Sequence, residues 1–235
     1  GAEVIDAAED RGKFSRLLTK IGVPEPEGVD VASVEEAKEV GRRLGYPLMV
    51  RPSFVIGGVA MKVVYGEQAL VEVLREAFEA VPGQKVMVDQ FLAGREFECD
   101  AVCDGEDVLI PGIFEHIDPS GIHSGDSIAV FPSYSLTKEQ QGQVLDFVKV
   151  ISKELDVHGL LNIQFVLRGG VFWIIEANPR ASRTVPIVSK ISKLPVIDMA
   201  VGIALGERLR DMPYGTGLYP ETGQWSVKVP VFSND

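Results

Sequence analysis

The stretch LLNIQFVLRGGVFWIIEANP, residues 160–179, consists of two apolar runs joined by Gly169 and Gly170. Two glycines between runs rich in β-branched and aromatic residues predict a β-hairpin, because glycine readily adopts the backbone angles of a tight turn. The second run ends in polar residues, beginning with Glu176 and Asn178. Polar groups in apolar surroundings cost free energy unless they are paired. The open end of this hairpin is therefore a predicted ligand site.

The remaining sequence alternates short apolar strands with helical patterns, and the strands come in antiparallel-looking runs. Apolar residues spaced three and four apart predict helices near 10–21, 34–44, 66–80, 137–156, 184–192 and 195–206. These patterns predict an α+β fold with mainly antiparallel sheets in two lobes. The predicted divisions are an amino-terminal lobe over 1–88, whose first helix can pack on the other lobe, a carboxy-terminal lobe over 89–210, and a tail or connection over 211–235.

Composition limits the classes of partner. The 235 residues carry 23 basic and 34 acidic side chains, a net charge of −11, and 46% of them are hydrophobic. This balance supports a sizeable core and argues against nucleic acid or an anionic membrane as the main partner. With no leader pattern and no apolar run of about 18 residues, we expect a cytoplasmic protein.

The sequence has no P-loop, no G-x-G-x-x-G after a strand and no G-x-S-x-G. What remains at the hairpin is a set of oxygen donors, Gln164, Glu176 and Asn178, of the kind that holds Mg²⁺ shared with substrate phosphates. Arg180 and Arg183 follow, and they are suited to a phosphoryl group or an anionic acceptor. The alternative is a surface hairpin whose polar end is solvated.

Two loops have similarly open interpretations. The backbone around Gly57 and Gly58 can approach phosphate oxygens closely, but a plain hairpin turn explains the same pair. The loop over 115–127 contains His116, His123 and two aspartates. Its spacing fits no zinc pattern, so a polar loop is the alternative to metal binding.

Taken together and in this order, five segments resemble the ATP-grasp domain of the carbamoyl-phosphate synthetase large subunit. The resemblance spans roughly residues 9–210, and it is closer to the second half, which phosphorylates carbamate, than to the half that acts on bicarbonate. The more specific segments are the third and the fifth. The five are EDRGKF (9–14), RPSFVIGG (51–58), EHIDPSGIHSGDS (115–127), NIQF (162–165) and IIEANPRASRTVPIVSK (174–190).

The resemblance implies several nucleotide-binding residues. Arg11 and Arg51 match arginines that contact the nucleotide phosphates, and Gly57 and Gly58 match a lid over those phosphates. Val59 stands where second-half relatives are expected to have a basic residue, so the resemblance does not supply a lid contact at this position.

Further positions match contacts with the nucleoside. Asp89 and the backbone near Phe91 match the strand that contacts adenine, and Glu96 matches the acid that binds ribose. A loop packed around the nucleotide is matched by Gly121, Ile122, His123 and Ser124.

The resemblance also implies the reacting site. Arg180 and Arg183 match arginines that face the transferred phosphoryl group and carbamate, with Asn162 close by. The matching ligands for Mg²⁺ or Mn²⁺ are Gln164, Glu176 and Asn178.

The implied function is ATP-dependent phosphorylation of carbamate to carbamoyl phosphate, in arginine and pyrimidine biosynthesis. The implied partners are the remaining domains of a large subunit and a glutaminase small subunit, and an isolated domain can be inactive. Two alternatives are another ATP-grasp carboxylate–amine ligase and a nucleotide-binding module without turnover.

Overall fold

The computed structural model describes residues 2–52, 61–80, 82–122 and 125–231. Contacts divide the chain into a smaller unit, Pro26–Ala93, and a larger unit made of Gly1–Glu25 and Gly94–Asp235. In chain order the elements are α1 (Ala2–Glu9), α2 (Arg11–Ile21), β1 (Gly28–Val31), α3 (Val34–Leu44), β2 (Leu48–Pro52), β3 (Lys62–Val64), α4 (Glu67–Ala80), β4 (Val86–Gln90), β5 (Arg95–Asp104), β6 (Val108–Ile110), β7 (Ile113–His116), β8 (Ala129–Phe131), α5 (Lys138–Glu154), β9 (His158–Arg168), β10 (Val171–Asn178), α6 (Val185–Ser192), α7 (Val196–Ala204), β11 (Gly217–Leu218) and β12 (Ser226–Lys228).

The smaller unit is a four-stranded antiparallel sheet covered by two helices. Its strand order is β1-β4-β2-β3. Helix α3 begins after Ser33, whose hydroxyl accepts a hydrogen bond from the backbone N–H of Glu36. Leu48 and Val50 alternate with Met49 along β2, and both are buried against Leu70 and Leu74 of α4. The period-two pattern of the strand thus meets the apolar stripe of the helix.

The larger unit is built on an eight-stranded sheet whose main strand order is β10-β9-β5-β7-β8-β12. One face of this sheet packs on α5 and on the first two helices. Phe14 and Leu18 of α2 are buried in the same core as Val144 and Val148 of α5. Residues 1–25 therefore lie with the larger unit and not with the smaller one.

The opposite face of the large sheet is half apolar and half polar. Val102 and Phe114 of the sheet pack against Val188 and Met199 of α6 and α7. The polar half of this face, described below, lies beside that second core. An α+β architecture with mainly antiparallel pairing is confirmed.

The segment predicted as a tail contributes two short strands to the larger unit. Strand β11 pairs in parallel with β6, and β12 pairs antiparallel with β8. Among the helices of the described ranges, none combines the length and the apolar character needed to span a bilayer.

Candidate functional site

A β-bulge in the hairpin decides which side chains reach the polar face. Strands β9 and β10 pair with Ile174 opposite Phe165, but two residues later Glu176 lies opposite Gln164, because the register shifts between them. Phe172 and Ile174 point into the core. A regular strand would send Glu176 to that same side, since side chains alternate. The extra residue turns Glu176 to the other face, as bulges commonly do near sites.

The result is a grid of six polar side chains on three adjacent strands. Glu98 of β5 lies opposite Gln164 of β9, which lies opposite Glu176 of β10. Two residues along, a second row runs Asp100, Asn162 and Asn178. Directly opposed residues have Cβ atoms about 5 Å apart, so the grid forms one continuous polar surface.

Within the grid, Glu176 organises the two amides that were predicted as metal ligands. Its Oε1 accepts hydrogen bonds from Gln164 Nε2 and Asn178 Nδ2, each at 3.0 Å. The amide nitrogens are thereby turned toward Glu176, and the carboxylate and both amide groups line one pocket. These are hard oxygen donors in a polar pocket, so the residues present fit Mg²⁺ or Mn²⁺.

Asp100 anchors the segment that follows the hairpin. This buried carboxylate accepts hydrogen bonds from Asn162 Nδ2 at 3.1 Å, Ser182 Oγ at 2.6 Å and Thr184 Oγ1 at 2.6 Å. Burial raises the pKa of Asp100, while the hydrogen bonds from Ser182, Thr184 and Asn162 lower it and leave it above its ordinary value. The anchor fixes Arg183, which lies between the two hydroxyl residues.

Arg180 and Arg183 lie in the irregular segment between β10 and α6. Both are exposed, and a guanidinium nitrogen of Arg180 donates to Asn178 Oδ1 at 3.2 Å. Even so, the two arginines share a pocket of about 160 Å³ with all three predicted metal ligands and Asn162. Its lining residues are Glu98, Gly125, Asn162, Gln164, Glu176, Asn178, Arg180, Ser182, Arg183, Thr184 and Lys228.

A buried histidine joins two acids beside this pocket. His116 Nδ1 lies 3.4 Å from Glu96 Oε2, and its Nε2 lies 3.9 Å from Glu98 Oε2. Glu96 also accepts the backbone N–H of Gly121 at 2.8 Å, which ties the predicted ribose acid to the following loop. Burial raises the pKa of Glu98, whereas the charges of His116 and Lys228 lower it and Asp100 raises it. No hydrogen-bond partner of Glu98 Oε1 occurs among the described residues.

In the smaller unit, two of the residues predicted to contact the nucleotide pair with each other. Arg51 Nε lies 3.2 Å from the buried Asp89 Oδ2. The backbone N–H of Phe91 donates to Pro47 O at 3.1 Å. An ion pair with Asp89 fixes the Arg51 side chain and neutralises part of its charge.

The other nucleotide positions are only partly described. Gly121 adopts a positive φ of 94°, and Ile122 is 40% exposed. Arg11 is the first residue of α2. The predicted positions that lie outside the described residues are Gly57, Gly58, Val59, His123 and Ser124.

The alternative metal site in the loop over 115–127 gains no support from the described residues. Within the described ranges, no group of three or more histidine, cysteine, aspartate or glutamate side chains could hold a metal ion. His116 instead contacts Ser127 Oγ at 3.3 Å and the two glutamates, and Asp118 accepts the backbone N–H of Ile128.

Several residues of the site are absent from the sequence predictions. They are Glu98, Asp100, Ser182, Thr184 and Lys228, and they line or anchor the pocket. The two acids had a signal, since acidic residues recur with a period of two at positions 96, 98 and 100 of a predicted strand.

Comparisons with known proteins give a family and several relatives that the chain resembles. The family model described as "Carbamoyl-phosphate synthase L chain, ATP binding domain" matches residues 10–212. The carbamoyl phosphate synthase large chain of Clostridium perfringens (strain 13 / Type A) is 47% identical over 232 residues, which are 99% of this chain and 22% of that protein. The chain of the same description from Caldanaerobacter subterraneus subsp. tengcongensis is 48% identical over 229 residues, 97% of this chain and 21% of that one. The chain thus spans about a fifth of the length of these relatives.

Solved structures show the same fold. Biotin carboxylase from Campylobacter jejuni has a TM-score of 0.75 at 20% identity, covering 88% of this chain and 48% of that chain. The biotin carboxylase domain of Hydrogenobacter thermophilus 2-oxoglutarate carboxylase, solved with MgADP, ADP and bicarbonate, has a TM-score of 0.74 at 23% identity, covering 88% of this chain and 47% of that one. At these identities the likeness shows the fold alone, and it confirms the predicted fold class.

Proposed function

Because the chain belongs to the family of ATP-binding domains of the carbamoyl-phosphate synthase L chain, we propose that it uses ATP to phosphorylate carbamate. The products are carbamoyl phosphate and ADP. The choice of carbamate over bicarbonate rests on the segments EHIDPSGIHSGDS (115–127) and NPRASRTVPIVSK (178–190), which resemble the second half of the large subunit.

One observation carries the proposal. A carboxylate, two amides and two arginines converge on one pocket of the larger unit. Gln164, Glu176 and Asn178 would hold Mg²⁺ or Mn²⁺, which neutralises charge on the nucleotide phosphates when it is bound. The guanidinium groups of Arg180 and Arg183 are placed to contact anionic oxygens of the acceptor and of the transferred group.

The reaction requires the protein mainly to position the reactants and to neutralise the charge of the transferred phosphoryl group. A carbamate oxygen attacks the γ-phosphorus of ATP, a new P–O bond forms, and the bond between that phosphorus and the β–γ bridging oxygen breaks to release ADP. Carbamate is already an anion, so no side chain has to remove a proton. Catalysis of this kind consists mainly of alignment and stabilisation of the equatorial oxygens, which is the role of the two arginines.

The remaining nucleotide contacts are assigned from the resemblance. We assign Glu96 to the ribose hydroxyls, because its carboxylate is held by Gly121 and by His116. Arg11 and Arg51 are assigned to the phosphates, and the carbonyl of Phe91 to adenine. The longer polypeptide and a glutaminase subunit would supply carbamate, since the chain spans about a fifth of the length of its relatives.

The test measures nucleotide binding first and catalysis second. Calorimetric titration of ATP into the chain, with and without Mg²⁺, should show binding that Mg²⁺ strengthens. ATP formation from carbamoyl phosphate and ADP is then assayed in the full-length protein with the other synthetase half inactivated. Bicarbonate-dependent ATP hydrolysis by the same protein would assign this domain to the other half, and a folded chain that binds no ATP at millimolar concentrations would refute the proposal.

A further inference from the structure

The last described strand presents a lysine to the pocket. Along β12 and its flanks the side chains alternate, with Trp225 59% exposed, Val227 60% and Val229 61%, while Ser226 and Lys228 between them are half-buried. The strand therefore turns its apolar side outward and Lys228 toward the sheet. Lys228 is also one of the residues that line the pocket. It lies beyond residue 212, where the match to the family ends.

The register across the sheet explains how this side chain reaches the pocket. Lys228 lies opposite Ala129 of β8, and Ala129 lies opposite His116 of β7. An alanine between the two longer side chains leaves space for the lysine stem to cross β8. The ammonium group comes near enough to Glu98, on the next strand, for its charge to favour the ionised carboxylate.

Curvature of the sheet also allows Lys228 to reach the pocket. Strands β12 and β10 are at opposite ends of the main strand order. Five interstrand steps of about 4.8 Å would separate them by about 24 Å in a flat sheet, beyond the reach of any side chain. Lys228 and Glu176 nevertheless line the same pocket, because a twisted and coiled sheet brings its two edges toward each other.

The charged side chains of the pocket lining also indicate an anionic ligand. The pocket lining contains three permanent cations, Arg180, Arg183 and Lys228, and two carboxylates, Glu98 and Glu176. A divalent cation on Glu176 would add two further positive charges. The pocket is therefore suited to a ligand with several negative charges, such as a phosphoryl compound.

We propose that Lys228 is a substrate-binding residue. Its ammonium group contacts the phosphoryl oxygens of the compound that forms when the anionic acceptor is phosphorylated. The inference rests on the proposed function for the identity of that compound, carbamoyl phosphate. A lysine acts here as a compact point charge, and it is carried by the strand at the other end of the sheet from the hairpin.

The experiment compares three variants of the chain with the parent. Lys228→Met removes the charge and keeps an unbranched side chain, Lys228→Arg keeps the charge, and Lys149→Met removes an exposed charge on α5, outside the pocket. Calorimetry gives the Kd for Mg·ADP, for carbamoyl phosphate with Mg·ADP present, and for inorganic phosphate. A thermal melt of each variant checks that it is folded.

We expect Lys228→Met to raise the Kd for carbamoyl phosphate and for inorganic phosphate about tenfold or more, and to change the Kd for Mg·ADP less than about twofold. Lys228→Arg should recover most of the affinity, and Lys149→Met should match the parent. A folded Lys228→Met chain with parental affinity for both phosphate compounds would overturn the proposal, as would a parent that binds neither of them. If the parent binds inorganic phosphate but not carbamoyl phosphate and Lys228→Met weakens it, Lys228 is supported and the carbamate assignment fails.

Discussion

Replacement of Asp100 by alanine is the sharpest test of how the site is held together. Asp100 is 1% exposed, and its two oxygens accept hydrogen bonds from Asn162, Ser182 and Thr184. Alanine leaves three donors without their acceptor, of which Asn162 and Thr184 are buried and Ser182 is half-buried. It also releases the segment that carries Arg183 between its two hydroxyl anchors. The variant should therefore lose both folding stability and affinity for the anionic substrate.

The magnitude follows from the three hydrogen bonds. Leaving a buried donor unsatisfied costs about 1–3 kcal/mol. The two hydroxyls can rotate toward other acceptors, and removing a buried carboxylate returns part of its desolvation cost. We therefore take the lower end of the range for each donor, which gives a loss of about 3 kcal/mol in the free energy of unfolding. For a unit of this size, that corresponds to a decrease in Tm of roughly 6–12 °C.

Both tryptophans of the chain, Trp173 and Trp225, lie in the larger unit, so their fluorescence in urea reports the unfolding of that unit. The matched control is Asp104→Ala, on the same strand and the same face. Asp104 is also buried and accepts the backbone N–H groups of Glu106, Asp107 and Leu209, but it lies outside the pocket.

The control should be destabilised by a similar amount and keep parental affinity for carbamoyl phosphate, whereas Asp100→Ala should lose about tenfold or more of that affinity. An Asp100→Ala chain within about 0.5 kcal/mol of the parent would refute the assignment of Asp100 as an anchor. Equal loss of ligand affinity in both variants would show that general destabilisation, and not the position of Arg183, is responsible.

Three further variants test individual side chains. Glu176→Ala should abolish the part of ATP affinity that depends on Mg²⁺ and change the free energy of unfolding by less than about 1 kcal/mol; an unfolded variant would show that Glu176 is structural. Arg183→Lys keeps the charge but loses the planar fork, so it should retain ATP affinity and slow ATP formation from carbamoyl phosphate by about tenfold, or about 1.4 kcal/mol; a parental rate would contradict this. Burial raises the pKa of Glu98, so its contribution to stability is fully present below its ordinary pKa and is lost as pH rises through the folded-state value. Glu98→Gln should accordingly be more stable than the metal-free parent in urea at pH 7.5, with a gain that shrinks toward pH 4.5, and a gain independent of pH would be the contrary result.

Much of the fold is encoded locally and could be predicted. Helix α5 begins where Thr137 and Gln140 form a capping box, and the strands of the central hairpin meet at Gly169 and Gly170 as expected. The apolar residues over 108–116 do not form one continuous strand, because the chain leaves the ladder at Pro111 and Gly112 and forms β6 and β7. Strands β11 and β12 have only two and three residues. The two residues of β11 are too few to show a period, and they form a strand only because the sheet edge is there to receive them.

The site, like the fold, is determined partly by the local sequence and partly by tertiary contacts. Spacing alone puts Glu176 and Asn178 on one face, but it cannot say which face, because that depends on the bulge between Ile174 and Glu176. Without the bulge, Glu176 would oppose Ile163 and point into the core, where an unpaired carboxylate is very costly. The consecutive isoleucines 174 and 175 are compatible with a bulge but do not require one. The register is therefore set by the core, which accepts Ile174 and Ala177, and by the polar grid, which accepts Glu176. Because the same register shift satisfies both faces, the residues that fold the hairpin also place its oxygen donors beside the arginines.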